Sequence, residues 1–157
     1  MTLSVSAQKV QHALADLGMD LQVVELPSST RTAVEAAQAV GCQVGQIVKS
    51  LVFRAVHSNR PVLVVASGAN RVNEPRLGDL LGEPIAKADA DYVRLRTGFA
   101  IGGVPPLAHA EPLTIFIDQD LFQYAAIWAA AGTPHAVFCL TPAQLVTMTG
   151  GKVVQIT

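Results

Sequence analysis

The chain is poor in cysteine, aromatics and charge, and each scarcity removes a class of protein. Its 157 residues hold two cysteines, Cys42 and Cys139, in no CxxC or zinc-ligand spacing. That excludes a disulfide-stapled scaffold and a structural zinc site, and fits free thiols in a reducing cytosol. Charged residues make up 15% and the net charge is −1. Such a balance gives no electrostatic footprint for a long nucleic-acid backbone, so DNA is not an expected partner. A nucleic-acid partner would have to be held locally, at an end or a small patch. From Leu121 to Gly151 there is no acid, lysine or arginine, yet Gly132, Pro134 and Pro142 interrupt the stretch. No uninterrupted apolar run approaches the roughly 20 residues of a membrane span. No basic segment followed by an apolar core opens the sequence, so neither a signal peptide nor a membrane location is expected.

Half of the residues are hydrophobic, which rules out disorder and suffices for one core. The punctuation predicts strands and helices in mixture. Ser6 is positioned to cap a first helix presenting Val10, Leu14 and Leu17 and ending at Gly18. LQVVEL at 21–26 reads as a strand stopped by Pro27. Thr32 and Glu35 form a capping box with Gly41 at the helix end, and Thr141 and Gln144 form another with Pro142 at the first helical position. Asn73 and Asp89 are predicted caps of two short helices closed by Gly82 and Gly98. Strands are predicted at 47–56, in VLVVAS at 62–67, in LTIFID at 113–118 and in VVQI at 153–156. Residues 124–140 read as a hairpin around AGTP, although the alanines also favour helix. The expected fold class is α/β in the α+β sense: a single domain over residues 1–157 with a mixed, curved sheet and surrounding helices.

One strand raises a chemical question. In QIVKSLVFRA (46–55) the alternation puts Ile47, Leu51, Phe53 and Ala55 on one face, and Lys49 falls among them. A charge in a dry core is prohibitively expensive, so Lys49 either snorkels to water or stands at a cleft with a partner. Ser50 points to the opposite face, which argues against a Ser–Lys nucleophilic pair. A second candidate is GFAIGGVPPLAH (98–109). Its glycines let backbone N–H groups approach a ligand, and Pro105 and Pro106 stiffen the end of the loop. Such a loop can act as an oxyanion hole or serve as an ordinary connection. The histidines His12, His57, His109 and His135 have no metal-ligand spacing; His109 and His135 come after turns from which either could reach a cleft. Asp118 and Asp120 read more simply as a strand end and a turn than as a metal pair. Arg54, Arg60, Arg71 and Arg76 read as solvated surface.

These features occur together in a recognisable order: TAVEAAQAVGC, QIVKSLVF, PVLVVASGANRVN, TGFAIGGVPPLAH, IFIDQDL and AAGTPHAVFCLTPAQLVTMTGG. The chain resembles, over essentially its whole length, the YbaK/EbsC family of aminoacyl-tRNA deacylases, relatives of the prolyl-tRNA synthetase editing domain. The resemblance implies a barrel-like mixed sheet and hydrolysis of the ester joining a wrong amino acid to the 3′ end of tRNA, often proline tRNA. No metal and no cofactor is expected. The family's lysine falls on Lys49, and its Gly-x-x-x-Pro loop falls on Gly102-Gly103-Val104-Pro105-Pro106. Lys49, Gly102 and Gly103 are therefore the candidate catalytic residues. Ser50, Ser67, Gly68, Val104, Pro105, Pro106 and His135 are the candidate substrate contacts. The implied partners are the tRNA acceptor end with its amino acid, and a synthetase. A binding module that senses the same ligand without turnover is the competing expectation.

Overall fold

The computed structural model describes residues 3–157; residues 1 and 2 of the expected domain lie outside the described part. Helix α1 (Val5–Asp16) is capped by Ser4, whose side chain accepts the N–H of Ala7. The predicted cap, Ser6, lies inside the helix, and Leu17 is half exposed rather than packed. Strand β1 is only Val24–Glu25. The predicted strand is longer because it counts Leu21 and Val23, whose backbone groups are met instead by the Gln11 side chain of α1, at 2.8 Å each. Helix α2 (Ala33–Val40) begins at the predicted Thr32–Glu35 capping box and ends on Gly41 in the left-handed region.

After a 3-10 turn at Val44–Gln46 come β2 (Ile47–Ala55) and β3 (Pro61–Ser67), then α3 (Glu74–Leu81), capped by Asn73. A short strand that the sequence pattern does not reveal, β4 (Ile85–Lys87), precedes α4 (Ala90–Thr97), capped by Asp89. Strand β5 (Thr114–Asp118) runs into a 3-10 turn at Gln119–Gln123. The predicted hairpin is formed by β6 (Ile127–Ala130) and β7 (Ala136–Leu140). Helix α5 (Pro142–Thr149) carries the second capping box, and β8 (Lys152–Val154) ends earlier than VVQI suggests.

The strands form one mixed sheet in the order β1-β7-β6-β2-β3-β5-β8, with β4 also on β2. The outer strands β1 and β8 do not pair with each other, so the sheet curves but is not closed into a barrel. Strand β3 lies between β2 and β5 and is buried along its whole length, which explains why its sequence is a continuous apolar run rather than an alternating one.

Both faces of β2 are covered. Val48, Leu63, Val65 and Ile117 pack beneath α1 (Ala7, Val10, Leu14), α4 (Val93) and α5 (Leu145). On the other face Phe53, Ala55, Val62, Val64, Ala66 and Phe116 pack beneath Leu77 of α3 and Ile156. Ile47 on that second face is covered by Ala36 and Ala37 of α2.

Candidate functional site

Strand β2 has β3 along one edge from Val48 to Arg54. Its other edge is shared by two strands: β6 pairs only with Ile47 and Val48, and β4 only with Phe53 to Ala55. Between them, residues 49–52 face no strand among the described residues. The Ile47 carbonyl accepts from Gly68, and Ala55 exchanges bonds with Arg60 and Asn59 on the β3 side. Strand alternation therefore turns the N–H and C=O of Ser50 and Val52 toward the open edge.

A cavity of about 650 Å³ wraps this edge and is reached from both faces of the sheet. On the face of Ser50, its wall is Val93 and Val104 of the main core cluster with the partly buried Val52 and Ala88 packed against it. On the face of Lys49, its wall is Leu51, Phe53 and Val72, with Arg71 and Glu74 beside them. Arg31 and Lys87 complete a lining with four cations and one carboxylate. The apolar neighbours of Lys49 thus belong to the core beneath α3 as well as to the cavity.

The lysine is held by a polar network. Its Nζ donates to the carbonyl of Asn70 at 2.7 Å. Asn70 is fixed in turn by its amide, which donates to Asp118 Oδ2 at 2.9 Å and Asp120 Oδ2 at 2.7 Å. Asp118 is buried and also accepts the N–H groups of Ser67 and Asp120, both at 2.9 Å. Burial holds the Lys49 ammonium below the usual lysine range; the Arg71 charge adds to this and Asp118 opposes it. Asp118 and Asp120 form no metal set, since no group of three or more potential ligands occurs among the described residues. Their task is to orient Asn70. Asn70 and Asp118 are the residues that sequence reasoning missed as part of the site. The available signal was an acid closing the apolar strand IFID, because a buried carboxylate must be paired.

The loop after α4 forms the opposite wall. Gly102 lies at φ +92°, in the left-handed region, with Arg31 Cγ and Pro134 Cγ 3.7 and 3.8 Å from where a Cβ would sit. Gly103 has a different part. Its N–H donates to Ala100 at 3.0 Å and its carbonyl accepts from Gly132 at 2.9 Å. A Cβ on it would lie 2.8 Å from the backbone of Gly132 and Thr133. Gly103 therefore docks the loop on the β6–β7 turn, leaving no N–H free for a ligand. His109 sits mostly buried with Nε2 2.7 Å from the Pro105 carbonyl. A carbonyl only accepts, so this nitrogen carries the proton; burial lowers the imidazole pKa, opposed by that hydrogen bond. His109 pins the loop from behind.

Of the candidate residues, Lys49, Ser50, Gly102 and Val104 meet in the cavity. Ser67, Gly68, Pro105, Pro106 and His135 lie outside its lining. Ser67 is buried and donates to the Gly45 carbonyl at 2.7 Å. Gly68 is needed for close packing, since a Cβ there would collide with the Val44 carbonyl. Pro105 and Pro106 are buried and shape the loop, and the exposed His135 donates its backbone N–H to Thr133 Oγ1. The alternation of β2 does place Ser50 opposite Lys49, as expected.

Residues 27–148 match the model of the aminoacyl-tRNA editing domain, and the chain belongs to that family. It is similar over 99% of its length, and 99% of the other chain, to a solved structure described as a proposed trans-editing enzyme for prolyl tRNA synthetase, at 50% identity and a TM-score of 0.94. It is 26% identical over 149 residues to the uncharacterised protein YwhH of Bacillus subtilis strain 168, spanning 95% of this chain and 94% of that one. A proline–tRNA ligase of Limosilactobacillus fermentum is 34% identical over 94 residues, 57% of this chain and 16% of the ligase.

Proposed function

We propose that the whole chain, residues 1–157, acts as one trans-editing hydrolase that removes a wrong amino acid from the 3′ end of tRNA, with proline tRNA the leading substrate. The observation that carries this reading is Lys49: an ammonium held by the Asn70 carbonyl at a cavity whose other wall is the Gly102 loop. An aminoacyl ester is already labile, so catalysis requires placement of water and stabilisation of the developing oxyanion rather than a strong protein nucleophile. Lys49 meets a phosphate or carbonyl oxygen of the terminal adenosine as a compact cation. Arg31, Arg71 and Lys87 receive the flanking backbone. The N–H of Gly102 donates to the oxyanion, a contact worth about 3 kcal/mol of barrier. The lining holds no histidine among the described residues, and the adjacent ribose hydroxyl of the substrate activates the water. The small net charge suits an enzyme that grips only an acceptor end. It works where charged tRNA is made, in the cytoplasm, with a synthetase as a further partner. No helix among the described residues is long and apolar enough to cross a membrane.

The test is deacylation of a panel of mischarged tRNAs, on proline tRNA and others, by wild type, Lys49→Ala and Lys49→Arg. Wild type clears at least one substrate, Lys49→Ala falls by about 100-fold or more, and Lys49→Arg does not restore the rate because a planar fork does not replace a point charge. A wild type that binds charged tRNA without clearing it is a binding module instead.

A further inference from the structure

Among the described residues, one buried side-chain oxygen or nitrogen has no hydrogen-bond partner, and it is Ser50 Oγ. Its place is specific. Ser50 lines the cavity on the face of Val52, Ala88, Val93 and Val104, the apolar side of the open edge. Lys49 and Arg71, the groups suited to phosphate and ester oxygens, lie across the strand on the other face. The nucleotide end of a ligand is drawn to the cationic side. The amino-acid side chain is left facing the apolar chamber and Ser50.

We infer that Ser50 sets the specificity of the site, and that the amino acid it favours carries a small hydroxyl side chain, serine before alanine. This rests on the editing reading above for its biological consequence. The physical argument concerns the hydroxyl alone. A buried hydroxyl without a partner is a standing cost, relieved by any ligand that hydrogen-bonds it and left in place by a methyl group. Serine offers both a donor and an acceptor to the Ser50 Oγ, and alanine offers neither. A serine χ1 has three staggered wells, so Oγ can turn toward a ligand atom at small cost. Recognition of a hydroxyl by a buried polar partner discriminates better than an apolar pocket can between side chains of similar size. Threonine adds one methyl to a wall already made of valine and alanine and is the second choice. Cysteine, a weak donor and acceptor, ranks below both.

The experiment separates this inference from the hydrolase reading. Non-hydrolysable 3′-amide analogues of seryl- and alanyl-adenosine are titrated calorimetrically into wild type, Ser50→Ala and Ser50→Thr. Deacylation of seryl- and alanyl-tRNA is measured beside them. We expect wild type to bind the seryl analogue about tenfold more tightly than the alanyl one. The ratio collapses toward one in Ser50→Ala and survives in Ser50→Thr, which keeps the hydroxyl. Thermal stability of Ser50→Ala is unchanged or higher, since no bond is lost. Equal binding of the two analogues by wild type, or a seryl preference that persists in Ser50→Ala, overturns the inference. A seryl preference in binding without any ester hydrolysis supports Ser50 and removes the hydrolase; hydrolysis without that preference does the reverse.

Discussion

The network behind Lys49 makes a demanding prediction. Asp118 is 1% exposed and accepts three hydrogen bonds, from the backbone of Ser67 and Asp120 and the amide of Asn70. Asp118→Ala strands the Ser67 and Asp120 donors and leaves the Asn70 side-chain amide held by Asp120 alone. Each buried donor left unmet costs about 1–3 kcal/mol, and removing one member of a buried charged network costs about 3–5 kcal/mol. For a chain of this length that lowers Tm by about 6–20 °C. Function suffers separately, because the Asn70 carbonyl that holds Lys49 at 2.7 Å loses its support and the lysine loses a charge that favours its protonated form. Asp118→Asn preserves shape and can still accept one or two of the bonds, but its amide faces another donor. It should be intermediate in stability and lie close to Asp118→Ala in kcat/KM. Calorimetric melting and deacylation by the folded protein at low temperature read the two effects apart. A Tm within about 1–2 °C of wild type for Asp118→Ala, or full activity in a folded sample, would refute the assignment of Asp118 as the support of the lysine.

Two further outcomes rest on the geometry. Gly103→Ala places a methyl 2.8 Å from three backbone atoms of Gly132 and Thr133, none at the end of a flexible side chain; we expect a cost of about 1–3 kcal/mol, seen as a lower Tm, and a fall in kcat/KM as the Gly102 loop shifts. An unchanged melting curve would contradict the docking role. Titration of Lys49, whose pKa is lowered chiefly by burial, moves binding and stability in opposite directions. Between the lowered pKa and the ordinary lysine value the folded chain holds fewer protons than the unfolded one, so stability rises with pH across that window. Affinity for an amide-linked aminoacyl adenosine falls over the same window as the cation is lost, and Lys49→Arg, which stays charged, flattens that fall. A wild-type affinity that stays constant through the ordinary lysine value, about 10.4, would show that Lys49 does not act as a cation.

Much of the fold is legible where a local rule decides it. The Thr32–Glu35 and Thr141–Gln144 boxes, the Asn73 and Asp89 caps and the glycines Gly41, Gly82 and Gly98 that close α2, α3 and α4 are set by local sequence, and all are found where the sequence puts them. The hairpin at 127–140 is legible because AGTP overrides alanine's helical propensity. What fails depends on distant partners. Gln11 takes the hydrogen bonds of Leu21 and Val23, and so shortens β1 by tertiary contact. Strand β4 is three residues long and exists by pairing with Phe53 to Ala55.

The site divides in the same way. Lys49 and the glycine loop are visible because a charge among apolar residues and a Gly-Gly-Val-Pro-Pro run are local anomalies. The Asn70–Asp118 support spans 48 residues of sequence and leaves only the faint mark of an acid at a strand end. Gly103, a candidate donor to the ligand by its place in the loop, has its N–H committed to Ala100. Spacing alone cannot distinguish such an N–H from an exposed one.

The interruption between β6 and β4 also works as a length gauge. The vacant stretch of β2 is four residues, about 13 Å at the rise of a strand, and it is closed at both ends by strands already seated on the same edge. A guest can pair with the backbone of Ser50 and Val52 there but cannot extend into a longer ladder. The gap is too short for a peptide or a stray strand edge to add as a full strand, without any repulsive side chain, and its length suits the single residue of the proposed substrate. The same feature that opens a sheet to a ligand thereby guards it against the strand addition that an open edge usually invites.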